Sequence, residues 1–282
     1  LRKRRILARM KQTLLSIGHG YSGKATAQAL GQGWDVLGTS RSKGTAAVHW
    51  PDDIAGALAR ATHLISWVPP GEAGDPVLPL LAGLDAPNLR WIGYASASSV
   101  YGDTGGDWVD EGTKDAPSTE RGHKRLRAEA AWQAYSDKIG VPLARFRIAG
   151  IYGPGRSTLD SLRQGRAKRV IVPEQVFNRI HVADLGRIAA AAAAARLEGA
   201  LILSDHEPAP LADIVAHAAT LLDLPCPPAI AFKDADLSPM ARSFYAENKR
   251  LRSRRIGPEL GVSLAYPDYR AGLAAVLAAE RQ

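Results

Sequence analysis

"TLLSIGHGYSGKATAQAL", residues 13–30, decides how the rest of the chain is read. Its opening, "TLLSIG", is a short apolar run of the kind that forms a buried strand. From Ser22 onward, "SGKATAQALGQG" has the composition and spacing of a helix. Between them "GHGYSG" sets Gly18, Gly20 and Gly23 in G-x-G-x-x-G spacing. After a strand and opening a helix, each glycine has a physical task. The first permits a tight turn, the second lets a pyrophosphate approach the backbone, and the third lets helix pack on strand. The helix N-terminus adds unpaired N–H groups and the positive end of its dipole. Gly18, Gly20, Tyr21 and Gly23 are therefore the dinucleotide-binding candidates here, with His19 and Tyr21 read as loop side chains rather than chemical groups. A plain strand-to-helix turn is the competing reading.

About 20 residues on, at the end of the second strand, "WDVLGTS", a carboxylate would hold the ribose 2′-hydroxyl of NAD(H). The chain has "GTSRSK" there, with Thr39, Ser40, Arg41 and Lys43 and no acid. Ser40 can donate a hydroxyl and Arg41 can pair with a phosphate through its planar fork. The sequence favours NADP(H), with NAD(H) as the alternative.

Outward from this unit, "AAVHW", "HLISWV" and "RWIGYAS" read as further strands, with "DDIAGALARA" and "DPVLPLLAGL" as crossover segments. A long helix from about Pro117 to Ile139 leads into the strand "PLARFRIAG". After the turn-rich "IYGPGRS", "RIHVADLGRIAAAAAAARLEG" reads as a loop entering an alanine-rich helix, and "ALILSD" as a last strand. "LADIVAHAATLL" and "SPMARSFYAENKRL" read as short helices among recurrent prolines. The fold class is α/β: a Rossmann-type, doubly wound parallel sheet with a smaller carboxyl-terminal α/β substrate lobe. Residues 10–155, completed by 177–205, are assigned to the dinucleotide-binding domain, and 156–176 with 206–282 to the lobe. Residues 1–9 read as an extension outside the fold.

The composition is that of a globular chain. The net charge of +8 falls to +3 once Arg2, Lys3, Arg4, Arg5 and Arg9 are set aside, which weakens a nucleic-acid reading. No apolar run approaches the roughly 20 residues of a membrane span, and a single cysteine, Cys226, excludes an internal disulfide framework. Together these favour the cytoplasm, with Cys226 read as a small buried or half-buried residue. The histidines show no metal-ligand spacing.

"YASASSVYGDTGGDWVDE" (94–111), "RFRIAGIYGPGR" (145–156) and "RIHVADL" (179–185), with the glycine turn, resemble the extended short-chain dehydrogenase/reductases, which include sugar-nucleotide epimerases and dehydratases. "ENKRLRSRRIGPELGV" (247–262) resembles that family's carboxyl-terminal segment. The resemblance implies a Rossmann domain holding the cofactor, a lobe holding a small-molecule substrate, and dimerisation through a four-helix contact that includes helix 117–139. It also exposes departures that mark an atypical branch. The glycine turn is one residue shorter than usual. The active-site Ser/Thr position falls on Ala97, with Ser96 and Ser98 flanking it, and the Tyr-x-x-x-Lys positions fall on Arg121 and Arg125.

Arginine cannot trade a proton at any working pH. It binds anions, and Arg121 and Arg125, one helical turn apart, share a face. With Arg156 and Arg179 in loops that the family directs at substrate, the expectation is a site changed from proton relay to anion binding. Arg121, Arg156 and Arg179 are the substrate-binding candidates, and Ser98, Arg121 and Arg125 the catalytic ones. The function expected is an NAD(P)-binding oxidoreductase or epimerase-like protein for a small anionic metabolite or nucleotide sugar. The rivals are a non-catalytic NADP(H) sensor and a nucleic-acid binder that uses Arg2 to Arg9, "HKRLR" and "KRLRSRR".

Overall fold

Residues 11–42, 44 and 48–281 are described by the structure, a computed structural model. The expected extension at 1–9 and the side chain of Lys43 lie outside the described residues.

Seven strands form the main sheet: β1 (Gln12–Ile17), β2 (Trp34–Ser40), β3 (Val48–His49), β4 (His63–Ser66), β5 (Trp91–Ala97), β6 (Leu143–Ile148) and β7 (Gly199–Leu203). Their order, β7-β6-β5-β4-β1-β2-β3, reverses direction at β1, as a Rossmann-type sheet does. The pairs β1–β2, β1–β4, β4–β5 and β2–β3 are parallel. All of β4 is buried, as are six of the seven positions of β5. Parallel strands covered on both faces read as near-continuous apolar runs, as "HLIS" and "WIGYASA" do.

The helices include α1 (Tyr21–Leu30), α2 (Ile54–Arg60), α3 (Glu120–Ile139) and α4 (Val182–Ala195), with others in the carboxyl-terminal part, among them Leu211–Leu221 and Tyr269–Ala279. Gly186 lets α4 approach α1 closely. A Cβ on Gly186 would stand 2.5 Å from the Ala25 carbonyl oxygen, and Ala189, Ala190, Ala192 and Ala193 are all buried.

By contact the chain divides into two compact units. The first runs up to Ser96 and adds Arg127–Phe146 and Leu185–Ala200. Its core joins Leu15, Leu58, Leu64 and Ile92 to Tyr94 and Trp132, whose rings stack at 5.6 Å. The Trp132 indole donates to Asp75 Oδ2 at 2.8 Å, which removes the cost of burying that N–H.

Ala97–Leu126, Arg147–Asp184 and the chain from Leu201 onward form the second unit. Residues 97–126 leave the first unit because their pairing partners lie far along the chain: the strand Trp108–Val109 pairs with Arg250–Leu251. One cluster of this unit joins Val100, Tyr101, Val109, Ile202 and Leu251, and another Tyr152, Leu159, Ile214, Tyr269 and Leu273.

Three local expectations change. Ile151–Tyr152 and Arg179–His181, read as loops, lie in short strands, Gly150–Tyr152 and Arg179–His181, paired with each other. "SPMARSFYAENKRL" is helical only over Pro239–Ser243, and Arg250–Leu251 is a strand. Cys226 is exposed, because the proline-flanked turn that carries it has no buried face.

Candidate functional site

In the first unit, β1 buries Leu14 through Ile17 and then turns sharply. Gly18 takes φ +72°, and a Cβ there would stand 2.9 Å from Val68 Cγ2. Thr39 bolts the turn to β2: its hydroxyl accepts from the Gly18 amide at 2.9 Å and its carbonyl from the His19 amide at 3.3 Å. Buried and engaged in this way, Thr39 belongs to the turn rather than to the phosphate pocket in which the sequence grouped it. Gly20 stands at the N-cap of α1 with no side-chain cap, an arrangement suited to a phosphate. A Cβ on Gly23 would meet Ser16 Oγ at 2.9 Å and His19 Nδ1 at 3.1 Å, so the third glycine allows helix and strand to touch.

His19 departs from its expected role. Its ring lies against the backbone of β2, where a Cβ on Gly38 would fall 2.5 Å from His19 Cγ. Its Nδ1 is 3.0 Å from Ser16 Oγ, which also accepts from the Trp67 indole at 3.2 Å. Burial, helped by the Lys24 charge, holds the imidazole below its ordinary pKa. His19 therefore packs inside the glycine turn. The signal for this was Gly38, since a glycine within a strand marks a close approach.

At the far end of β2, Ser40 is half-buried and accepts from the Ser42 amide at 3.1 Å. Arg41 is exposed, and its carbonyl faces His49 Nε2 at 3.2 Å. Tyr21 is half-buried at the first position of α1.

In the second unit, Ser98 begins a one-turn helix, Ser98–Tyr101, directly after β5 and is half-buried. The start of α3 is pressed against this turn, since a Cβ on Gly122 would lie 2.5 Å from the Ser99 carbonyl oxygen. Gly122, next to Arg121, is thus in contact with the turn that Ser98 begins. The guanidinium of Arg121 is exposed and lies 4.4 Å from the centre of the Phe244 ring, while Arg125 is half-buried. Thr119 accepts from the Gly122 amide at 3.2 Å, and Ser118 and Thr119 both donate to Glu247 Oε1, at 3.1 and 3.0 Å. The other Glu247 oxygen holds Lys249 Nζ at 2.7 Å, with both side chains only 7% exposed. This clasp was missed by the sequence reading.

Arg156 and Arg179 do not form one cationic face. Arg156 is exposed in a tight turn that its own backbone closes on Gly153 at 3.0 Å. Arg179, expected in a loop, is buried in the strand Arg179–His181 beside Asp205, whose amide donates to the Arg179 carbonyl at 2.6 Å. Pairing of this strand with Gly150–Tyr152 turns the arginine inward. Its Nη1 and Asp205 Oδ2 are both buried without a partner.

Tyr101 and Tyr152 are both buried. Burial pushes Tyr101 up to about 12, and Tyr152 is pushed higher, also chiefly by burial. Tyr101 lies under the Arg147 guanidinium at 4.8 Å, and Arg147 is held by both oxygens of Asp115 at 2.6 and 2.9 Å. Among the described residues no group of His, Cys, Asp and Glu could hold a metal ion, and no helix is long and apolar enough to cross a membrane.

No family model matches the chain, and no curated protein matches it. Solved structures do. A functionally unknown conserved protein from Silicibacter pomeroyi DSS is 46% identical, with TM-score 0.87 over 95% of this chain and 99% of that one. A protein from Methylobacillus flagellatus, described as an NAD-dependent epimerase/dehydratase, is 26% identical, with TM-score 0.72 over 96% and 99%. Human epimerase family protein SDR39U1, solved with NADPH, is 19% identical, with TM-score 0.75 over 94% and 99%, and shares the fold.

Proposed function

This chain belongs to the atypical extended short-chain dehydrogenase/reductases, relatives of the NAD-dependent epimerases and dehydratases, and on that premise we propose that it is an NADP(H)-binding oxidoreductase or epimerase-like enzyme for a small anionic metabolite. The observation that carries this reading is the glycine turn joined to an acid-free end of β2. Gly20 and the uncapped start of α1 would receive the pyrophosphate, and Ser40 and Arg41 the 2′-phosphate. Gly23, which has no room for a Cβ, keeps helix and strand close enough for that approach. The bound nicotinamide would supply or accept hydride.

On the substrate side, Arg121 would offer a permanent charge to an anion, and Ser98, in the turn against which Gly122 packs, would relay a proton through water. The buried tyrosines are too weakly acidic for that role. The NAD and NADPH relatives leave both cofactors open, and the basic end of β2 favours NADP(H). Titration of NADPH and NADH by quenching of tryptophan fluorescence tests this. NADPH should bind at least about tenfold more tightly, and Arg41→Glu should erase the preference, as loss of a charge-assisted hydrogen bond implies. Equal affinities in the parent protein, or an unchanged preference in the variant, would defeat the proposal.

Burial of Tyr101 and Tyr152, with arginine at 121 and 125, favours a second reading, a sensor that binds NADP(H) without turnover. Consumption of bound NADPH with carbonyl substrates separates the two. The nucleic-acid reading draws no added support from the "KRLRSRR" run, part of whose charge is paired with acids of the same chain. Lys249 holds Glu247, Arg254 holds Asp110 at 2.7 Å, and Arg255 holds Glu259 at 2.6 Å.

A further inference from the structure

The second unit contains a groove of about 650 Å³, within the range of small-molecule sites. Its walls are mainly apolar and aromatic: Phe177, Leu211, Val215, Met240, Phe244 and Tyr245. Met240 is 73% exposed and Phe244 47%, a large apolar offer to solvent for two neighbouring residues of one short segment. Tyr245 is fixed edge-on to Phe177 at 5.1 Å, so the aromatic wall has a set shape.

Charge enters the groove from the 166–168 segment. Arg166 donates to the side-chain oxygen of Gln164, a neutral partner, so its charge is not cancelled there. Lys168 is bound to Asp236, the one carboxylate lining the groove. At the rim Arg121 lies over Phe244. The lining thus combines an apolar slot with the exposed guanidinium of Arg166, bound to a neutral amide, and a second guanidinium at the edge.

We propose that this groove binds an amphipathic organic acid, a compound with a flat aromatic or alkyl body and a single carboxylate or phosphate seated at Arg166. The apolar walls would take the body, and the guanidinium fork would take the acid group through charge-assisted bonds. This names the substrate class for the enzyme proposed above and rests on that reading in calling the ligand a substrate. The binding itself does not depend on the cofactor.

The test titrates the full chain, without cofactor, with 2-naphthoate, and in parallel with neutral 2-naphthalenemethanol, inorganic phosphate and UDP-glucose. Binding of 2-naphthoate should be about tenfold or more tighter than that of the alcohol, and phosphate alone should not bind measurably. Arg166→Gln should bring naphthoate down to the level of the alcohol. Ala241→Trp, which fills the slot, should abolish binding of both, and Met240→Gln, at an exposed position, should weaken both should the tryptophan variant not fold. Arg163→Gln, which removes a surface partner of Glu280, should change neither. Equal affinity for acid and alcohol, indifference to Arg166→Gln, or tighter binding of UDP-glucose than of naphthoate would each overturn the proposal. Naphthoate binding in a protein that never takes NADPH would defeat the proposed enzyme and leave the groove intact. The converse result would do the reverse.

Discussion

At Gly38 a single methyl group would meet the His19 ring, which makes this residue a direct probe of the cofactor turn. Gly38→Ala forces the imidazole out of its seat or bends β2, and overpacking of this kind costs about 1–3 kcal/mol. Urea denaturation should show that loss, and NADPH affinity should fall with it because the same ring lines the turn. Combining Gly38→Ala with His19→Ala should recover much of the stability. A double variant no better than the single one would show that the two residues are not coupled. The G-x-G-x-x-G spacing was legible from residue types alone, because a strand, a turn and a helix impose it locally. The roles of His19 and Thr39 were not, because each is decided by a strand about 20 residues away.

The start of α3 carries the arginines on which the substrate reading rests, and Glu247 holds it in place. Removing that carboxylate leaves Lys249 as a buried unpaired charge and takes the shared acceptor from Ser118 and Thr119. Glu247→Ala should therefore cost about 3–5 kcal/mol in urea denaturation. The chain carrying both Glu247→Ala and Lys249→Met should lose clearly less. An equal loss in the two would place the effect in the missing helix contacts rather than in the stranded charge. This element also shows where sequence reading fails. "WDVLGTS" was read at its observed limits because β propensity and the flanking turns agree. "SPMARSFYAENKRL" was read as a helix from its composition, yet it stops after Ser243 because the next residues have distant partners. Glu247 serves the helix start, and the Asn248 side chain accepts from the Val176 amide at 3.1 Å. Such partners leave no trace in local periodicity.

For the whole molecule, the doubly wound class was legible because short apolar runs alternating with helices admit few arrangements. The division into units was not, because residues 97–126 join the later chain through pairings no local pattern encodes. Stability should carry a pH signature from the buried charges. Burial pushes Asp205 up to about 8, so the folded protein keeps a proton that the unfolded chain, at an ordinary value of 3.8, has already lost. Stability from this group falls as pH rises from about 4 to about 8. Below about 6.5 the opposite slope of His63, lowered to about 4, and of His19 and His181, also lowered, works against it. Between pH 6.5 and 8.5 the thermal midpoint should therefore decline, and Asp205→Asn should flatten the decline. A parent protein with a level midpoint across that window would contradict the assignment. The clasp at α3 also bears on how the chain is made. Thr119 waits for a partner 128 residues further on, which at about 5–20 residues per second takes a ribosome roughly 6–25 s to deliver. Through that interval the nascent helix carries Arg121 without its anchor, so the start of α3 acquires its final form only after residues 247–249 have been made.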